Sequence, residues 1–109
     1  EAAERLMMSR DLSSVRQRTG RPGPVPSYEE ASAYVYSPQE EALRQYNRQR
    51  WIWGTPESVR AKLDALGTRF GVDEYVVVTI CPDLESRLRS YELLAEAFNL
   101  TPRLTVAAE

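Results

Sequence analysis

Six consecutive residues, Tyr75–Ile80, constrain this chain more than any other feature. Their sequence, YVVVTI, is almost entirely apolar, is rich in β-branched side chains and does not alternate with polar residues. Runs of this kind are typical of parallel strands covered on both faces. Because such a strand needs neighbours on both edges, the run predicts a sheet with helices packed against it.

A second short strand is predicted at Trp51–Trp53, and each strand leads into a helix. After the first, Thr55 supplies an N-cap and Pro56 occupies the first helical position, while Gly71 stands where a left-handed C-terminal residue belongs. After the strand at 75–80, Asp83 is the expected N-cap. Helical spacing then predicts two buried stripes: Val59, Leu63, Leu66 and Phe70 on one helix, and Leu84, Leu88, Tyr91, Leu94 and Phe98 on the other.

The first half of the chain is less regular. Residues 1–18 show broadly helical spacing of apolar side chains, and residues 20–37 form a proline-rich loop. Ser27 with Glu30 and Ser37 with Glu40 match the S-x-x-E capping box, so a short turn and a helix over 38–50 should follow them. The side chains expected to face inward are Ala3, Leu6, Met7 and Val15 on the first helix, and Ala42, Leu43 and Tyr46 on the later one.

The order β-α-β-α predicts an α/β fold with parallel strands and right-handed crossovers. Two strands make an incomplete sheet, so we expect a partial (β/α)8 barrel consisting of its last two βα units, preceded by helices and a proline-rich loop. A first residue other than Met also suggests excision from a longer chain. The predicted division is 1–19, a helix of the preceding barrel unit; 20–50, a proline-rich loop and helix; 51–100, two closing βα units; and 101–109, a C-terminal tail.

Composition excludes several classes of function. The 109 residues carry a net charge of −2, which gives no electrostatic basis for binding nucleic acid or an anionic membrane. No apolar run is long enough to span a bilayer, and the N-terminus does not resemble a signal peptide, so a cytoplasmic location is expected. The chain has no histidine and a single cysteine, Cys81, so we expect neither a metal site nor an internal disulfide.

Three motifs in residues 51–100 resemble the C-terminal end of the luciferase-like, flavin-dependent monooxygenases, the bacterial luciferase (alkanal monooxygenase) family. They are GTPE at 54–57, GVDE at 71–74 and RSYELLA at 89–95, in order and at fitting separations. In that family these stretches follow the seventh strand, precede the eighth strand and close the barrel. The loop at 20–37 is similar in position to the family's variable segment before strand seven.

The resemblance implies an enzyme that oxidises a small organic substrate with reduced FMN and oxygen, or a relative that uses a deazaflavin. The family's catalytic histidine lies on earlier strands, and this chain has none. We therefore expect no activity and no tight flavin binding from these residues alone, and we expect their partner to be the remainder of the barrel or another copy of the chain. The alternative is a free-standing small α/β binding or assembly module that self-associates; an independent catalyst is the weakest hypothesis.

Three residues are candidates for contact with a flavin. Thr55 lies where a strand ends and a helix begins, a position at which free amides favour a phosphate, although a simple helix cap is the more common role. Trp51 and Trp53 share one face of the predicted strand and would wall a flavin pocket, with barrel packing as the alternative. No residue is assigned as catalytic.

The remaining polar residues receive structural interpretations. Thr79 and Cys81 lie at the mouth of the second predicted strand, and the cysteine is expected to be a small buried apolar residue. Asp73 and Glu74 are assigned to a turn. The other assignments are solvated helix surface for Arg10, Arg16, Arg18 and Arg21, and packing and salt bridges for Arg87, Arg89 and Ser90.

Overall fold

Helices are the regular secondary structure of this protein in the computed structural model, which describes residues 1–102. In chain order they are α1 (Ala2–Arg18), α2 (Tyr28–Ala33), α3 (Pro38–Arg48), α4 (Pro56–Phe70) and α5 (Leu84–Ala97). Within those described residues no segment is paired as a β-strand. Residues 103–109, most of the predicted tail, lie outside the described part.

The absence of a sheet in residues 1–102 overturns the predicted fold class. The strands expected at 51–53 and 75–80 are wrong, and so is the partial (β/α)8 barrel assembled from them. The physical reason is that a strand is completed by backbone bonds to a neighbour, which a local apolar pattern cannot supply. Val76, in the middle of the second run, is 95 % exposed instead of buried on two faces.

Helix α1 forms the centre of the first helical group, and α2 and α3 both pack against it. Its buried apolar residues are Met7, Leu12 and Val15, and α2 contributes Ala31. The same helix also buries three polar residues, Ser9, Asp11 and Ser14. Asp11 and Ser14 bond to Arg48 and Asn47 of α3, so this group is held by polar contacts as well as by apolar packing.

The predicted helix caps of the first group are present. The Ser27 hydroxyl accepts the amide of Glu30, and Ser37 and Glu40 form a complete capping box at the start of α3. The predicted inner face of α3 is wrong at two of its three residues, because Ala42 is exposed and Tyr46 is 55 % exposed, while Leu43 is half-buried. Asn47 is buried instead, and its Nδ2 donates to Ser14 Oγ at 3.0 Å.

Helices α4 and α5 form a second group, and they pack only on each other among the described helices. Thr55 and Asp83 cap them as predicted, and Gly71 ends α4 with φ +64°. Leu63 is buried, but the two predicted stripes are largely uncovered: Phe70, Leu84 and Leu88 are all more than half exposed. These stripes were expected to pack on a sheet, and residues 1–102 contain no sheet to cover them.

The segment between α4 and α5 returns across α4 through a close approach at Gly67. The hydroxyl of Tyr75 donates to the carbonyl of Leu63 at 2.9 Å, and it occupies the space that a Cβ on Gly67 would need. The radius of gyration is 16.3 Å, against roughly 13 Å for a compact domain of 100 residues. The larger value fits two helical groups better than one shared core.

The capping box of α3 leads to a prediction of how the stability of this helix depends on pH. The pKa of Glu40 is lowered because its carboxylate accepts the amide of Ser37, with further bonds from the Tyr34 hydroxyl and from Arg21. A carboxyl group with a lowered folded pKa stabilises the fold above its unfolded pKa, and that contribution is lost as the pH falls through the folded value. Acidification from the ordinary glutamate value of 4.5 downward should therefore weaken α3.

Glu40→Gln keeps a side chain that can cap the helix but removes the charge. On acidification, the free energy of unfolding of this variant should therefore fall less than that of the unchanged protein. Urea unfolding followed by circular dichroism at several pH values measures this difference. Glu74→Gln, at an exposed position outside the helices, is the matched control. Identical acid sensitivity in Glu40→Gln and in the unchanged chain would contradict the assignment.

Candidate functional site

A buried carboxylate, Asp11, lies at the centre of the most polar cluster in the described chain. Its side chain is fully buried, and Arg48 from α3 contacts both of its oxygens: Nε lies 3.1 Å from Oδ1 and 2.9 Å from Oδ2, and Nη2 lies 2.6 Å from Oδ2. Arg48 Nη2 also donates to Glu4 at 2.9 Å. A second arginine, Arg44, places Nη1 3.8 Å from Asp11 Oδ2.

The electrostatics of this cluster reflect a competition between burial and charge. Burial raises the pKa of Asp11, and the hydrogen bonds and positive charge of Arg48 oppose that rise. The pKa of Arg48 is raised chiefly because its charged form donates to Asp11. Two N–H groups of Arg48, Nε and Nη2, make three charge-assisted contacts with this one carboxylate, so we assign the two side chains as an ion pair.

The two candidate tryptophans lie next to this cluster, but not on one face of a strand. The guanidinium of Arg48 lies 5.3 Å from the ring centroid of Trp53, and that of Arg10 lies 4.7 Å from the ring of Trp51. Both rings are half-buried. Each tryptophan therefore has an arginine over one face, a cation–π arrangement worth up to about 2 kcal/mol when desolvated.

Thr55 lies at the exposed N-terminus of α4, where its hydroxyl already has a partner. Its Oγ1 accepts the amide of Ser58 at 3.3 Å, and its carbonyl accepts the Ser58 hydroxyl at 3.0 Å. Gly54 before it has φ +140°, and a Cβ there would meet the Ser58 side chain. The cap predicted for Thr55 is thus present, while contact with a phosphate remains a prediction.

A second polar feature surrounds Tyr36, whose hydroxyl is buried without a hydrogen-bond partner in the described residues. Burial raises the pKa of Tyr36 to about 12, and the charge of Asp11 adds to the effect. Its ring lies 4.9 Å from the Arg44 guanidinium, whose Nε is also buried without a partner. The phenol therefore stays protonated at neutral pH and is not a base.

The remaining candidates are dispersed. Burial raises the pKa of the Cys81 thiol, which favours the protonated form over a reactive thiolate. Arg16 pairs with Glu30, and Arg21 pairs with Glu40, both at 2.8 Å. Asp73 and Glu74 are exposed. The Thr79 amide donates to the Tyr91 hydroxyl. Arg89 pairs with Glu92 and Glu96 on α5.

Sequence reasoning missed Asp11 and its two arginines, although the sequence carries a signal for them. Asp11 lies four residues after Met7 and four before Val15, so it occupies the apolar stripe of α1. Arg44 and Arg48 are also four residues apart and share one face of α3. A charged residue within an apolar stripe, with a pair of opposite charges at helical spacing elsewhere, indicates a buried ion pair.

No metal-binding group of three or more acidic, histidine or cysteine side chains occurs in residues 1–102. No helix in that part of the chain is long and apolar enough to cross a membrane. The geometry supplies a structural ion-pair cluster with tryptophans at its edge.

Three curated proteins of Bacillus subtilis are similar to this chain. It is 42 % identical over 99 residues to the uncharacterized protein YwcH, 38 % identical over 98 residues to the uncharacterized protein YceB, and 30 % identical over 97 residues to N-acetyl-S-alkylcysteine monooxygenase. Each match covers about 90 % of this chain but only about 30 % of the relative. No protein-family profile matches, and no solved structure matches.

The Asp11 cluster yields a stability prediction. Asp11→Ala leaves the Arg48 guanidinium partly buried without its main partner. The free energy of unfolding should therefore fall by about 3–5 kcal/mol. Fluorescence of Trp53 should change with it, because that ring lies under Arg48. Denaturant unfolding with circular dichroism and tryptophan emission measures both effects.

Glu30→Ala is the matched control, since it removes the carboxylate of an exposed pair with Arg16 and should cost less than about 1 kcal/mol. Equal losses in Asp11→Ala and Glu30→Ala would show that the buried pair does not hold the first helical group together.

Proposed function

We propose that this chain forms part of a longer luciferase-like, flavin-dependent monooxygenase that oxidises a small organic substrate. The observation that carries the proposal is the 30 % identity to N-acetyl-S-alkylcysteine monooxygenase over nearly the whole of this chain. The motifs GTPE, GVDE and RSYELLA point to the same family. Because this chain spans only about 30 % of that relative, the complete activity is assigned to a longer protein.

In such an enzyme, reduced FMN supplies two electrons, one atom of O2 enters the substrate and the other leaves as water. A deazaflavin in place of FMN would belong to a relative with different oxygen chemistry. The proposal includes a cytoplasmic location, which a lone Cys81 favours over a disulfide-rich secreted class.

The three flavin candidates already have other partners within the described residues. Thr55 Oγ1 is engaged with Ser58, and Glu57 in the first turn of α4 would repel a phosphate. Trp51 and Trp53 each carry a guanidinium over one ring face. We therefore expect weak or no flavin binding by this chain, with the principal cofactor contacts supplied by the remainder of the enzyme.

A second candidate function is an assembly module that associates with another copy of itself. The observation favouring it is the exposure of Val76 at 95 % and of Val78 at 78 %. Exposed apolar side chains at nearby positions are typical of a surface that binds a partner. This candidate needs no flavin.

Flavin titration tests the proposal with three proteins: this chain, YwcH, and YwcH in which this chain replaces the 99 matched residues. We expect FMN absorbance to be unchanged by this chain and perturbed by YwcH. The chimera should perturb it as YwcH does. Circular dichroism checks that the chimera is folded.

Thr55→Ala and Asp83→Ala in the chimera form a matched pair, since each removes one helix cap at a cost of about 1 kcal/mol. Weaker FMN binding with Thr55→Ala alone would assign Thr55 to the phosphate. The proposal would be wrong if YwcH did not bind FMN, or if a folded chimera lost that binding.

A further inference from the structure

Arg10 lies on α1 next to the Asp11 cluster, but its guanidinium differs from those of Arg44 and Arg48. Those two arginines contact the Asp11 carboxylate. The Arg10 guanidinium donates to no oxygen of residues 1–102 and has no carboxylate of those residues within ion-pair distance. The solvated position predicted for Arg10 is wrong, because its side chain is half-buried. Arg10 is therefore a partly buried cation without a hydrogen-bonded partner in the described chain.

The indole ring of Trp51 holds Arg10 in place. The centre of the guanidinium lies 4.7 Å from the ring centroid, and the ring itself is half-buried. A cation–π contact attracts the positive charge, but it supplies no acceptor atom for the five N–H donors of an arginine. The contact thus fixes the position of Arg10 and leaves its donors available.

Burial acts differently on Arg10 and on Arg48. Burial lowers the pKa of Arg10, and the nearby charge of Asp11 only opposes that fall, whereas hydrogen bonds to Asp11 raise the pKa of Arg48. An arginine side chain stays protonated in proteins, so Arg10 bears the cost of partial burial as a cation. A bound oxyanion would supply the hydrogen bonds that Arg10 lacks.

We propose that Arg10 and Trp51 form a binding site for the carboxylate of a small organic acid. The planar guanidinium matches a carboxylate, which it can bind through two parallel N–H bonds. One uncompensated positive charge matches a monoanion, because the charge of Arg48 is already paired with Asp11 and Glu4. The indole ring offers an apolar surface beside the carboxylate for the rest of the acid.

Arg5, on the same helix, shows why burial matters to this assignment. Its guanidinium lies 4.3 Å from the ring centroid of Tyr28, a contact of the same kind. Arg5 is exposed, however, so water can accept from its donors. A carboxylate gains little there, and Arg5 is the matched control for Arg10.

NMR titration of the full chain at constant ionic strength tests the site with three probes. They are phenylacetate, the neutral phenylacetamide of nearly the same shape, and inorganic phosphate. We expect only phenylacetate to shift the Arg10 Nε–H and Trp51 indole N–H signals to saturation. Arg10→Lys should weaken this binding at least tenfold, because an ammonium group lacks the planar pair of donors. Arg5→Lys should leave it unchanged, and circular dichroism checks that both variants are folded.

Four results would overturn the carboxylate site. The first is the absence of a saturable shift with phenylacetate. An equal response to phenylacetamide would show apolar contact alone, and an equal response to phosphate would show that the site does not select a carboxylate. Equal weakening by the two lysine variants would show general attraction of anions to α1.

The inference goes beyond the proposed function and does not rest on it, since the titration uses no flavin. The chimera with YwcH distinguishes a free acid from an acidic side chain of the longer protein. We expect the folded chimera to broaden the phenylacetate signals, and Arg10→Lys in the chimera to reduce that broadening. A folded chimera that does not bind phenylacetate would assign Arg10 to an internal ion pair and overturn the small-molecule ligand. Failure of the chimera to bind FMN is a separate absorbance result and bears on the proposed function alone.

Discussion

The first helical group depends on a carboxylate, Asp11, that is buried on the central helix and held by an arginine from the third. Burying a charge costs free energy unless it is paired and hydrogen-bonded, and Arg48 supplies three contacts of 3.1 Å or less. The same guanidinium lies over Trp53, so the pair also fixes the chain that leads to α4. Polar pairing thus determines how α1 and α3 meet, and apolar packing of Leu12 and Val15 completes the group.

Local sequence signals predicted the helix ends well. Ser27, Ser37, Thr55 and Asp83 each cap the helix expected after them, because a cap is a contact over three residues and needs no distant partner. The strand predictions failed for the opposite reason. A β-branched run such as 75–80 defines a backbone suited to pairing, but residues 1–102 contain no second strand for it.

The candidate site also combines local contacts, which the sequence predicts, with tertiary contacts, which it does not. Thr55 caps the helix that the sequence predicted to begin there. The arginine over Trp51 is Arg10, which lies on α1 far earlier in the chain, and the arginine over Trp53 is Arg48, at the end of α3. Only tertiary packing brings such groups together. The buried Asp11 was recognisable in principle as a charge in an apolar stripe, yet its partners depend on how α3 crosses α1.

The proposed function rests on what the chain resembles. It shares 30 % identity with N-acetyl-S-alkylcysteine monooxygenase while spanning under a third of that protein. The exposure of Val76 and Val78 is consistent with a partner for this segment outside the single chain. In the proposed enzyme that partner is the remainder of the longer protein, and in the alternative it is another copy of the chain.

Hydrogen exchange on the dilute chain, followed amide by amide with NMR, tests this account most directly. We predict slow exchange at Leu12 and Val15 in α1 and rapid exchange at Val76 and Val78, because the first pair lies in a packed helix and the second has no acceptor in residues 1–102. Strong protection of Val76 and Val78 in a dilute monomer, or rapid exchange throughout α1, would contradict it.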